Sequence, residues 1–229
     1  MLDPRVEKLA SNLVNYSVRV KKGDKVLIEA FETDSQIVTE LVKKVFEAGG
    51  QPFVEIRDNK VHRAMLMGGN EEYFKNWCKY DIYRMQDMDC YIGVRGSFNS
   101  FETSDVPSAQ TEQYAVLYSH PVHHNTRVCK TRWVVLRYPN DSMAQLAGMP
   151  TEKFEDFYFN VCNLDYSKMD KAMNSLKALM DKTDKVRLVA RDTDISFSIK
   201  GIGAIKCAGN MNIPDGEVYT APVSNSVNG

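Results

Sequence analysis

Residues 25–56 read KVLIEAFETDSQIVTELVKKVFEAGGQPFVEI. Lys25-Val26-Leu27-Ile28-Glu29-Ala30 is a mostly apolar run of strand length, as expected of a buried strand. Asp34 or Ser35 is placed to cap the helix that follows. In that helix Ile37, Val38, Leu41, Val42, Val45 and Phe46 recur at helical spacing and make one apolar face. Gly49-Gly50 closes it as a C-cap. Pro52-Phe53-Val54-Glu55-Ile56 is a second strand. A strand, a helix and a strand in this order imply a right-handed crossover, and so a parallel sheet.

The same alternation continues on either side. Asp3-Pro4 starts a helix carrying Val6, Leu9, Ala10, Leu13 and Val14, and Lys22-Gly23-Asp24 breaks it. Residues 59 to 88 look helical and Met-rich, and methionines on apolar faces read as core filler. Cys90-Tyr91-Ile92-Gly93-Val94 is a third strand, followed by a loop from Arg95 to Ser108 and a helix over 109–119. Arg132 to Tyr138 is a fourth strand, stopped by Pro139. Three helical segments follow. One spans Met143 to Leu146, one is capped by Thr151, and one carries Met169, Met173, Leu176, Leu179 and Met180. Near residue 184 the pattern changes to two strands, Val186–Ala190 and Ile195–Ile199, the second alternating as a half-exposed antiparallel strand should. The expected fold is α/β. Residues 1–183 form a three-layer domain with a mainly parallel sheet. Residues 184–229 begin a second, β-rich domain with too few elements to close a core alone.

The chain has 229 residues, 29 basic and 30 acidic, for a net charge of -1. No electrostatic footprint for nucleic acid and no basic face for a membrane follow from that balance. The five cysteines are odd in number, with no C-x-x-C pair, and read as free thiols in a reducing compartment. The N-terminus has no apolar signal core, and no run reaches the ~18 apolar residues of a membrane span. A cytoplasmic protein is the expectation.

Chemistry-bearing residues are sparse. Three of the 4 histidines, His120, His123 and His124, fall within the run HPVHH. They read either as a small metal or ligand site, which requires the rings to converge, or as a solvated loop after a helix. No dinucleotide fingerprint, Walker pattern, G-x-S-x-G or H-E-x-x-H is present. Arg95 begins the loop after a parallel strand, where ligands bind in open α/β sheets. Near the C-terminus, the turn Pro214-Asp215-Gly216 aims Glu217 at the start of a strand. A carboxylate at such a bend is either a metal ligand, at ~2 Å from the ion, or a turn residue in water.

The run Ile213-Pro214-Asp215-Gly216-Glu217-Val218-Tyr219-Thr220-Ala221-Pro222, followed by Ser226-Val227-Asn228-Gly229, resembles a signature of the thermophilic metallo-aminopeptidases, the aminopeptidase T, aminopeptidase S and PepS group. Thr131-Arg132-Trp133-Val134, Tyr138-Pro139, Met143-Ala144-Gln145 and Asp194–Ile199 look like further blocks of that family. The resemblance covers essentially the whole chain.

It implies an N-terminal α/β domain and a catalytic domain holding a pair of divalent metals, zinc or cobalt, that removes N-terminal residues from peptides. It makes Glu217 a metal ligand, while Tyr219 lies inside the signature and is not the family's ligand tyrosine. Arg95, Tyr219 and Thr220 are candidates for a substrate groove. Residues 218 to 229 contain no His, Asp, Glu or Cys, and one carboxylate cannot hold two metals. The expectation is therefore an N-terminal fragment that is inactive alone, has no catalytic residue of its own and binds no metal pair. Apolar surface over 184–229 then favours a homodimer or higher assembly. The alternative is a non-catalytic binding or assembly module, in which the loop 95–108 lines a groove faced by Arg95.

Overall fold

The computed structural model describes residues 3–224. They divide into two compact units, Met1–Leu164 with Asn210–Pro214, and Asp165–Gly209 with Asp215–Gly229. The break falls one helix before the change of pattern near Thr183, because the helix ahead of that change belongs to the second unit.

In the first unit, helix α1 (Pro4–Ser11) is capped by Asp3, whose carboxylate accepts from the Arg5 amide at 2.8 Å. It runs on into a wider π-helical turn, Asn12–Ser17. Strand β1 (Lys25–Phe31) is buried through its five central residues. Asp34 rather than Ser35 caps α2 (Ser35–Glu47), accepting from Gln36 N at 2.8 Å. Ile37, Leu41 and Val45 are sealed, but Phe46 is 63% exposed. It sits a further 100° around the helix from Val45, outside the i, i+4, i+8 stripe. Strand β2 (Gln51–Arg57) pairs parallel with β1. β2 lies at the sheet edge, where Pro52 is tolerated because an edge amide needs no partner.

The Met-rich stretch is two helices, α3 (Asn59–Gly68) and α4 (Glu71–Gln86). Met85 and Met88 are buried, while Met67 is 42% exposed, so the core-filler reading holds for only some methionines. Strand β3 (Cys90–Arg95) pairs with β1, and β4 (Arg132–Arg137) with β3, all parallel. Between them α5 (Ser108–Tyr114) continues into a π-helical segment, Ala115–Val128. HPVHH is therefore helical, not a loop. The wider turn moves carbonyls away from the i−4 ladder that Pro121 would break. Thr126 Oγ1 donates instead to Pro121 O, five residues back, at 2.9 Å. Helices α6 (Asp141–Leu146) and α7 (Thr151–Cys162) complete the order. No side chain caps α7; Thr151 is its first residue, and its hydroxyl donates to Asp141 at 2.7 Å.

The second unit holds α8 (Tyr166–Lys182), the antiparallel hairpin β5 (Lys185–Ala190) and β6 (Thr193–Ser198), and strand β7 (Ile205–Cys207). The chain then adds β8 (Asn212–Ile213) beside β4 before returning as β9 (Glu217–Tyr219), which pairs antiparallel with β7. The main sheet has the order β2-β1-β3-β4-β8. A two-residue strand leaves no periodicity to read, so β8 is invisible in the sequence. Among the described residues, no helix is long and apolar enough to cross a membrane.

Candidate functional site

Gly216 has φ 141, a conformation that costs a residue without Cβ little, and it turns the chain into β9. Asp215 ties the turn down. Its carboxylate accepts from Gly209 N at 2.7 Å, and its amide donates to the Tyr166 hydroxyl at 3.3 Å. Glu217 then starts β9 opposite Cys207, exposed, and its carboxylate has no hydrogen bond or ion pair among the described residues. Burial, then the neighbouring Asp215 and Glu217, raise the Cys207 thiol. Tyr219 is 45% exposed, and Thr220 donates to Ile202 O at 3.4 Å. Ser226 to Gly229, the end of the terminal motif, lie outside the described residues.

Among the described residues, no three His, Cys, Asp or Glu side chains are grouped to hold a metal ion. The residues present therefore do not make a metal centre, and Glu217 supplies one carboxylate only. The histidine triad does not form one either. The His120 and His124 rings stack at 5.1 Å, while His123 lies against Tyr91 and Tyr118 at 6.2 Å. Burial holds His123 down to about 4, and the cations Arg95, Arg127 and Arg57 add to that against the pull of Glu29. His123 is thus a neutral wall of something else.

That something is a buried polar network on the first unit's sheet. Glu29, on β1, is 2% exposed. Arg57 Nε, from the end of β2, lies 3.0 Å from Glu29 and 2.8 Å from Glu55. Arg57 Nη2 donates to the Tyr118 hydroxyl at 3.1 Å and reaches Asp81 at 3.3 Å. The Tyr118 hydroxyl donates to Asp81, and the Tyr91 hydroxyl to Glu29. Arg95 Nη2 donates to Tyr91 at 3.0 Å and to Glu29 at 3.3 Å. Arg84 pairs with Glu55 and Asp81. Burial alone would raise the Glu29 carboxyl; Arg57 and Arg95 outweigh it and hold it below its usual range. Burial raises the Tyr91 and Tyr118 phenols, so both stay protonated donors. The sequence did carry one signal of this network: an acid, Glu29, inside a buried apolar run.

Above the network opens a cavity of about 380 Å³, within the size range of small-molecule sites. Phe31, Arg95 and Arg137, at the carboxyl ends of β1, β3 and β4, line it, with His62, Tyr114 and the start of the 95–108 loop. From β1 the sheet runs to β2 on one side and to β3 on the other. The cavity thus sits where strand order reverses, the place at which open α/β sheets bind ligands. Gly96 is required there: a Cβ would lie 2.2 Å from Glu32 O, where the loop crosses the end of β1. The Glu32 carboxylate pins the loop, accepting from Phe98 N at 2.8 Å and Asn59 N at 2.9 Å. Burial, then Arg57, lowers His62 to about 4, so it too is neutral near pH 7.

Comparison with known proteins defines the class first: a metalloprotease, and hence a family whose chemistry depends on metal. The chain belongs to the thermophilic metalloprotease (M29) family, whose model matches residues 2–229. Its structure is similar to wild-type AmpT from Thermus thermophilus, with TM-score 0.73 and 19% identity, over 99% of this chain and 64% of that one. It is also similar to 2,5-dihydroxypyridine dioxygenase from Pseudomonas putida KT2440, with TM-score 0.53 and 10% identity, over 98% of this chain and 57% of that one. At those identities the likeness is one of fold. The chain spans less than two thirds of either protein's length. No curated protein sequence matches it.

Proposed function

We propose that this chain forms the α/β unit and one ligand-bearing strand of an aminopeptidase that uses a divalent metal pair, zinc or cobalt, to release N-terminal residues from peptides. The observation that carries the reading is Glu217. It lies in a family-matched segment, is held at a tied turn, and has a carboxylate with no hydrogen bond or ion pair among the described residues. When bound, a metal pair would supply a hydroxide near neutral pH and polarise the scissile carbonyl. The described residues give Glu217 no companions, so we infer that residues 1–229 are inactive alone and that further ligands complete the site. The test is hydrolysis of a leucine chromogenic amide with zinc or cobalt added. The 229-residue chain is expected to show none above a metal-only blank, and a version extended at its C-terminus is expected to turn over. Steady turnover by the 229-residue chain would overturn the reading.

A second reading, a binding module without chemistry, is favoured by one observation, the cavity at the strand-order reversal of the first unit.

A further inference from the structure

The cavity lining is specific enough to name a ligand class. Arg95 and Arg137 are register partners on adjacent parallel strands, so both project from the same side of the sheet ends, and both line the cavity. Among the described residues, Arg95 hydrogen-bonds through Nη2 alone, while its guanidinium lies over the Phe31 ring at 4.9 Å. The Arg137 side chain has no ion pair or hydrogen bond among the described residues. Two guanidinium groups side by side repel each other; Glu29 pairs with Arg95 at 3.3 Å, and no carboxylate pairs with Arg137 among the described residues. Glu102 is the one acid in the lining, and Arg95 is matched by Glu29 outside it, so Arg137 is the lining cation whose side chain has no ion pair among the described residues. Part of the lining is apolar and aromatic: Phe31, whose ring lies 4.9 Å from the Arg95 guanidinium, and Tyr114 pack around neutral His62, with His62 and Tyr114 centroids 5.3 Å apart. The Tyr114 hydroxyl has no partner among the described residues, and His62 Nδ1 is buried without one.

We propose that this cavity binds a small organic monoanion, its carboxylate bridged by Arg95 and Arg137 and its apolar, ring-sized body against Phe31, His62 and Tyr114. Guanidinium groups match carboxylate geometry two bonds at a time, which makes such pairs strong and directional. At ~30 Å³ per water-sized group, the cavity has room for roughly a dozen such groups, more than an inorganic ion fills. A free aromatic acid and the C-terminal carboxylate of a short peptide present this same chemistry. The site is independent of Glu217 and of any metal, so its failure would leave the proposed peptidase reading untouched.

The test is calorimetric titration of the full 229-residue chain with benzoate, N-acetyl-phenylalanine, benzamide and inorganic phosphate. At least one of the two carboxylates is expected to bind, and benzamide, which lacks the charge, to show no heat. Tighter binding of N-acetyl-phenylalanine would mark a peptide carboxylate as the source, and tighter benzoate a free acid. Arg137→Gln, at an exposed side chain with no partner among the described residues, is expected to weaken carboxylate binding about tenfold, the loss of ~1.4 kcal/mol, at an unchanged urea midpoint. Tyr114→Phe is expected to weaken it less, and serves if Arg137→Gln does not fold. The proposal is overturned if neither carboxylate binds, if benzamide binds as well, if phosphate alone binds, or if both variants bind like the parent.

Discussion

Leu41 and Leu188 are the same residue in two different situations. Leu41 is 0% exposed, between a helix and a five-stranded sheet; Leu188 is 52% exposed on a two-stranded ribbon, beside Val189 at 67%. The first unit alternates strands and helices, so its inner strands β1 and β3 are buried between layers, while Phe53 and Ile56 on the edge strand β2 stay 41% and 68% exposed. In the second unit β5 pairs with β6 alone, and a lone ribbon cannot shelter both its faces. Two glutamates repeat the contrast. Glu217, singled out by a sequence motif, is exposed, with no side-chain partner among the described residues, whereas Glu29, in no motif, is enclosed by two arginines and a tyrosine. A motif marks where chemistry is expected, and the burial of a charge marks where the fold has committed structure to holding one.

The sharpest way to break that contrast is to remove one cation from each side. Arg57→Leu takes from Glu29 its nearest cation, leaving Arg95 at 3.3 Å and the Tyr91 hydroxyl, and leaves Glu55 to Arg84 alone. Breaking a buried pair typically costs about 3–5 kcal/mol, and the remaining partners put the expected loss at the lower end of that range. Both tryptophans, Trp77 and Trp133, lie in the first unit, so their emission during urea unfolding reports it directly. Arg187→Leu, which breaks an exposed pair with Asp194, is expected to leave the thermal midpoint unchanged. Equal effects would mean that the buried network is no more important than a surface bridge.

Next in size is Leu41→Ala, expected to cost about 2–5 kcal/mol through the cavity it leaves. Leu188→Ala should cost less than ~0.5 kcal/mol, as at other exposed sites. A large loss at Leu188 would show that the ribbon is covered in solution, for example by a second copy of the chain, and sedimentation mass against 26.0 kDa would identify that.

Smaller still, per step, is the pH dependence. His62 and His123 titrate near 4 in the folded chain against 6.5 unfolded. Between those values the unfolded chain binds more protons, so stability falls as pH drops from 6.5 toward 4. Each histidine adds a slope of up to about 1.4 kcal/mol per pH unit. Glu29, held below the ordinary carboxyl value of 4.5, contributes stability that is complete above 4.5 and is lost as pH falls through its folded value. Urea midpoints from pH 7 to pH 4.5, read by tryptophan emission, should show the histidine slope, and His123→Gln should roughly halve it. A flat profile would mean both rings reach solvent.

The sequence by itself determined what local patterning controls. The apolar run 25–30, the stripe on α2 and the closing Gly49 gave the parallel unit, because burial on both faces and a 3.6-residue repeat are visible within a dozen residues. Alternation over 195–199 likewise foretold an antiparallel ribbon. The terminal motif placed the chain beside the metallopeptidases through residues next to each other in sequence. Tertiary structure alone decided the rest. It joined Glu29, Arg57, Asp81 and Tyr118 from four separate elements, set Arg95 beside Arg137, turned HPVHH into helix with His123 inward, and recruited β8 to the sheet. The physical reason is range. Periodicity records which face of an element is buried, but the partner a charge meets there is set by crossovers that bring distant segments to the same sheet end.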